Sequence, residues 1–65
     1  MSPLEVMYDN AEEIHTQLCR DYYDLALEIV GSLKMTPARE LALTKLLESQ
    51  QAALAALHMD KSLVQ

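Results

Sequence analysis

The chain has 65 residues and one cysteine, so no internal disulfide can form, and a monomer would bury only about 60% of the surface that its unfolded chain exposes. Its residues are 51% hydrophobic, with no Phe or Trp, one Gly and two Pro. This composition excludes a disordered tail, a collagen and an immunoglobulin-like sandwich and predicts an all-α fold. The net charge of −5 argues against nonspecific binding to DNA, RNA or an anionic membrane, because such binding needs a basic surface.

The first helix is predicted over residues 3–31. Ser2, Pro3 and Glu5 supply an N-cap hydroxyl, a proline at the first helical position and a carboxylate three residues after the cap. Apolar residues then recur every three or four positions as far as residue 33, which keeps one face toward a core. The poor helix formers at residues 8–10 could let the first turns detach as an arm. Gly31, in a left-handed conformation, is expected to end the helix.

A turn over residues 32–36 is predicted to lead into a second helix over residues 37–58, with a frayed tail at 59–65. Thr36 and Pro37 repeat the pattern of a capping hydroxyl followed by proline. The apolar stripe of this helix is wider than one partner helix can cover. It comprises Ala42, Leu43, Leu46, Leu47, Ala53, Leu54 and Leu57. We therefore expect a single-domain two-helix hairpin that assembles into an oligomeric bundle of at least four helices.

Three of the five cationic residues, Lys34, Arg39 and Lys45, fall within twelve positions of one another. The start of the second helix adds the Thr36 hydroxyl and free backbone amides, a combination that suits a phosphate group. An ordinary helix cap with solvated charges is the alternative, and the spacing leaves both interpretations open.

The sequence also bears on metal binding, catalysis and localisation. Glu12 and His15 have the Glu-x-x-His spacing of di-metal carboxylate bundles, although a solvated acidic face has the same pattern. The chain has no Ser/His/Asp set and no glycine-rich phosphate loop, so we expect neither an enzyme nor a bound cofactor. It also has no signal-peptide pattern and no apolar run of membrane-spanning length, which predicts a cytoplasmic protein in which Cys19 is a reduced thiol.

Residues 25–48, LALEIVGSLKMTPARELALTKLLE, resemble the core of the small phage proteins that act as anti-CBASS sponges for cyclic nucleotides. The most specific part is LALTKL at residues 41–46. The resemblance implies a non-enzymatic homo-oligomer in the cytoplasm of the infected bacterial host. Such a protein sequesters cyclic di- or trinucleotides without cleaving them and so blocks immune signalling.

The resemblance also implies two kinds of pocket. One takes a cyclic trinucleotide near Arg39 and Thr44, and the other takes a cyclic dinucleotide on a stacking tyrosine, for which Tyr8 is the candidate. The family's phosphate-binding lysine has no counterpart before Lys34, which leaves Arg20 as its substitute. The full set of expected ligand-binding residues is Tyr8, Arg20, Lys34, Thr36, Arg39, Thr44 and Lys45.

Two alternatives remain beside the sponge. A structural helical-hairpin dimer that binds a protein partner predicts no small-molecule ligand. A di-metal carboxylate bundle predicts bound iron or manganese, with Glu12 and His15 as ligands.

Overall fold

The computed structural model describes residues 2–14 and 16–64, apart from the side chains of residues 61–64. All regular secondary structure in this part of the chain is helical, which confirms the all-α prediction. The helices in chain order are α1 (Pro3–Glu13), α2 (Gln17–Ser32) and α3 (Pro37–Val64). The prediction of two helices is wrong, because the segment 3–31 forms two helices rather than one.

The break between α1 and α2 lies later than the segment 8–10, which is helical. Ile14 leaves the helical conformation (φ −111°, ψ 96°), and the chain restarts from Thr16, whose backbone is extended (φ −119°, ψ 147°). The Thr16 hydroxyl accepts a hydrogen bond of 3.3 Å from the amide of Cys19. Thr16 is thus an N-cap that stabilises a new helix start and lets α1 fold back along α2.

The other helix boundaries follow the capping residues more closely. The Ser2 hydroxyl accepts from the Glu5 amide at 3.2 Å, and Thr36 accepts from the Arg39 amide at the same distance. Gly31 differs from its prediction, because it lies inside α2 and no described glycine has a positive φ. The helix ends instead at Leu33, which is extended (φ −120°, ψ 145°).

Helix α3 continues beyond residue 58 as far as Val64, so the expected tail is helical over its described part. No glycine or proline follows Pro37, and nothing in this stretch therefore interrupts the helix. The 28 residues of α3 span about 42 Å at 1.5 Å per residue, close to the 45 Å length of the molecule. Within the described residues, no helix combines the length and the apolar character needed to cross a bilayer.

The three helices pack around one small core. Met7 of α1, Ala26 of α2 and Leu43 of α3 are buried together. Half-buried apolar side chains from all three helices surround them: Leu4, Tyr23, Ile29, Val30, Leu46 and Leu47. Helix α1 therefore covers part of the α3 stripe that the sequence analysis assigned to a second chain.

One buried polar side chain joins the three helices. Gln50 of α3 is fully buried, and its amide donates to the Cys19 carbonyl of α2 at 3.4 Å. Its carbonyl oxygen accepts from the side-chain amide of Asn10 in α1 at 2.9 Å. Because a buried amide must satisfy its polar atoms, this contact fixes the register of the bundle. Helix α2 runs antiparallel to the other two.

Replacement of Gly31 by alanine tests the new boundary of α2. A Cβ at Gly31 meets no atom within 4 Å, and the backbone there is helical. We expect Gly31→Ala to raise the free energy of unfolding by about 0.5 to 1 kcal/mol, because alanine loses less backbone entropy on folding. Urea denaturation measures this. A loss of stability would instead place Gly31 in the left-handed conformation that the sequence suggested.

Candidate functional site

Arg39 is the central cation of the candidate site. It lies in the first turn of α3, yet its side chain is only 10% exposed because it extends across the end of α2. Its Nη1 group donates to the Leu33 carbonyl at 3.2 Å and to the Val30 carbonyl at 3.4 Å. Carbonyls at a helix C-terminus lack helical partners and carry partial negative charge. Arg39 therefore caps α2.

The rest of the Arg39 guanidinium is only partly satisfied. Its Nη2 group lies 3.2 Å from a carboxylate oxygen of Glu40. Its Nε atom is buried and has no hydrogen-bond partner among the described residues. An unpaired buried N–H group is unfavourable, since it has lost its water without gaining an acceptor. The site thus holds one donor for which an additional acceptor would be stabilising.

A pocket of about 150 Å³ lies beside Arg39. Its lining residues come from the start of α1, the end of α2 and the start of α3: Ser2, Pro3, Leu4, Val30, Arg39, Glu40 and Leu43. The first turn of a helix carries partial positive charge, so α1 and Arg39 both favour an anion here, whereas the Glu40 carboxylate opposes one. The sequence placed the expected anion site at the start of α3 alone, and the structure brings the start of α1 to the same pocket.

The other residues expected around Arg39 make local contacts. The Thr36 hydroxyl caps α3, and the Thr44 hydroxyl donates to the Glu40 carbonyl at 3.0 Å. Lys34 is exposed in the turn before α3. Lys45 is also exposed, and its Nζ lies 3.6 Å from Glu48 one turn further on. None of these four side chains lines the Arg39 pocket.

Arg20 and Arg39 lie near opposite ends of α2. Arg20 is exposed near the start of α2, where the neighbouring Cys19 meets Gln50. Arg39 contacts the carbonyls at the end of α2. A single small ligand would not contact both arginines of one chain.

Tyr8, the candidate for the stacking tyrosine, lies on α1 beside a tyrosine of α2. Its ring is 46% exposed and meets the Tyr23 ring edge to face, with centroids 5.3 Å apart. Both rings line a cavity of about 250 Å³ with Leu4, Glu5 and Asp9. The two carboxylates repel a phosphate group, and no lining residue is cationic. Glu5, Asp9 and Tyr23 were not identified from the sequence, since only the pairing of α1 with α2 brings them together.

A third groove, of about 230 Å³, lies on the outer face of α2. Its lining residues are Leu18, Asp21, Tyr22 and Leu25. Leu18 is 44% and Leu25 is 46% exposed, and the Tyr22 hydroxyl forms a 2.8 Å hydrogen bond with the Ser49 hydroxyl of α3. This face of α2 is mainly apolar, and its two leucines remain about half exposed beside the Tyr22 contact with α3.

The metal-binding alternative rested on Glu12 and His15. No group of three or more metal-ligating side chains occurs among the residues that it describes. Glu12 is exposed in α1, and His15 lies outside the described residues.

Comparison of the chain with protein-family models, with curated proteins and with solved structures finds no match.

The capping contact of Arg39 predicts a stability effect independent of any ligand. We expect Arg39→Ala to lower the free energy of unfolding by about 1.5 to 3 kcal/mol, because α2 loses charge-assisted bonds to its last carbonyls. The matched control, Lys45→Ala, removes an exposed cation and should change stability by less than about 0.5 kcal/mol. Thermal and urea denaturation measure both variants. Equal small effects would show that the cap does not form in solution.

Proposed function

We propose that the protein is an anti-CBASS sponge, a non-enzymatic binding protein that sequesters cyclic oligonucleotides in the cytoplasm of an infected bacterial host. Two features support the proposal. The first is that residues 25–48 resemble the core of that phage family. The second is Arg39, a basic residue of this segment that lines a pocket and whose Nε group has no hydrogen-bond acceptor among the described residues.

The unpaired Nε of Arg39 is the observation that carries the proposal. Arg39 lines the adjacent pocket, and a small movement of its side chain that opened the buried Nε group to this pocket would let a phosphate oxygen accept the Nε hydrogen. The positive end of α1 would favour the negative charge. Because Nη1 is already held by the α2 carbonyls, the guanidinium is oriented before the ligand arrives. A preorganised donor loses little conformational entropy on binding.

The size of the pocket implies that the ligand extends beyond it. A volume of about 150 Å³ suits one phosphate group rather than a whole cyclic oligonucleotide. The remaining ligand would lie outside the pocket and would need a further wall to exclude water. A second copy of the chain supplies such a wall in the proposed assembly, which makes binding depend on oligomerisation.

The outer face of α2 supports this assembly. Leu18, Tyr22 and Leu25 recur at helical spacing along the apolar groove. Helix α3 also presents exposed alanines at 52, 55 and 56, which allow close approach of another helix. We therefore propose a homo-oligomer in which copies meet through α2 and α3. A structural helical dimer that binds a protein partner is the second candidate function.

The oligomer is tested by light scattering after gel filtration at micromolar concentration. We expect a mass at least twice the 7.3 kDa of one chain. Leu25→Lys should yield monomers, because it places a charge in the apolar groove, whereas Met35→Lys changes a side chain that is 79% exposed in the turn and should leave the mass unaltered. A folded helical monomer of the unmodified chain would contradict the proposal.

Ligand binding is tested by calorimetry with cyclic dinucleotides, cyclic trinucleotides and their linear counterparts. We expect at least one cyclic ligand to bind and to be recovered intact. Arg39→Lys retains the charge but lacks the Nε donor and should weaken binding about ten- to a hundredfold, in line with about 1.5 to 3 kcal/mol for a charge-assisted hydrogen bond. Lys61→Ala removes a cation that lies outside the segment 25–48 and should bind like the unmodified chain.

Three results would contradict the sponge. They are no heat with any cyclic ligand, recovery of cleaved nucleotide, or equal affinities for Arg39→Lys and the unmodified chain. Circular dichroism of each variant separates a loss of binding from a loss of folding. If no nucleotide binds although the oligomer forms, the helical dimer that binds a protein becomes the better function.

A further inference from the structure

We propose that the cavity between Tyr8 and Tyr23 binds an organic cation, an alkylammonium or guanidinium group. This site is separate from the Arg39 pocket and does not depend on the proposed capture of nucleotides. Leu4 is the one residue that lines both cavities. The two sites thus meet at Leu4, and they differ in charge: the Arg39 pocket is lined by one cation and one carboxylate, whereas the tyrosine cavity is lined by two carboxylates and no cation.

Two aromatic rings, those of Tyr8 and Tyr23, form part of the cavity wall. The two tyrosine rings meet at an interplanar angle of 66° with centroids 5.3 Å apart, so they form two adjoining, steeply inclined walls. Tyr8 remains 46% exposed although it packs against a core residue. Aromatic faces attract cations through the ring quadrupole, and quaternary ammonium groups are recognised by such aromatic walls.

Two acidic side chains form another part of the cavity wall. Glu5 and Asp9 are one turn apart on α1 and line the same cavity as the two rings. Neither side chain forms an ion pair with any described residue. A cation in the cavity would therefore meet two aromatic rings and two carboxylates that no described cationic side chain pairs with. An anionic ligand would be repelled by the carboxylates, and a neutral ligand would lack the charge–charge attraction that a cation gains.

The cavity suits a cationic group of moderate size. Its volume is about 250 Å³, and Leu4 supplies an apolar contact for the methylene or methyl groups of the ligand. A hydrated metal ion would not use the aromatic and aliphatic walls. The chemistry fits either a free amine, such as a polyamine, or the basic side chain of a polypeptide.

Choline and its neutral isostere 3,3-dimethylbutan-1-ol test the site directly. The two compounds have the same shape and differ in charge, so NMR titration of the full chain separates cation recognition from simple apolar binding. We expect choline to shift the ring signals of Tyr8 and Tyr23 and to bind at least about tenfold more tightly than the alcohol. Equal affinities, or no shift with either compound, would overturn the proposal.

Variants locate the binding and control for surface charge. Tyr8→Leu should weaken choline binding about tenfold, whereas Tyr8→Phe, which keeps the aromatic face, should bind like the unmodified chain. Asp9→Asn and Glu28→Gln each remove one negative charge, but Glu28 does not line the cavity. We expect only Asp9→Asn to weaken binding. Equal effects of these two substitutions would show nonspecific attraction to an acidic protein and would overturn the site.

Spermidine, N-acetyl-lysine amide and N-acetyl-arginine amide distinguish the source of the cation. Tighter binding of spermidine would assign a free polyamine. Tighter binding of either amide, with the same dependence on Tyr8 and Asp9, would assign a basic side chain. Failure of all three probes together with choline would overturn the proposal, and this outcome is independent of the nucleotide experiment.

Discussion

Met7 lies fully buried against Ala26 and Leu43, and this contact between three helices depends on the turn before Thr16. A continuous first helix would carry Met7 away from the core and leave the α3 stripe half uncovered. The break between α1 and α2 instead lets α1 pack against both of the other helices. Two of the three pockets depend on this arrangement, since residues of α1 line them.

Two neighbouring pockets at the start of α1 differ in their charged residues. The Arg39 pocket combines a guanidinium with the positive end of a helix, whereas the neighbouring cavity is lined by Glu5 and Asp9. The net charge of −5 opposes long-range capture of an anion. Affinity for a phosphate would therefore arise from the orientation of Arg39 and from slow release, and the surrounding field would favour a cation at Tyr8.

Arg39 also couples stability to the proposed binding. The same guanidinium that would contact a phosphate holds the last carbonyls of α2. A ligand that satisfies its Nε would stabilise the α2–α3 connection, because binding to the folded state alone shifts the unfolding equilibrium. The residue thus has a structural role whether or not a ligand binds.

The sequence by itself determined the helical class, the caps at Ser2 and Thr36 and the cationic segment around Arg39, because these depend on composition and on neighbours within one turn. It did not reveal that Thr16 begins a helix, since a threonine hydroxyl caps only where the chain can turn and α1 can find an apolar surface. The partners of Arg39, Tyr8 and Gln50 were decided by the tertiary structure alone. Each lies on another helix, and helical periodicity specifies which face is apolar but not which helix will cover it.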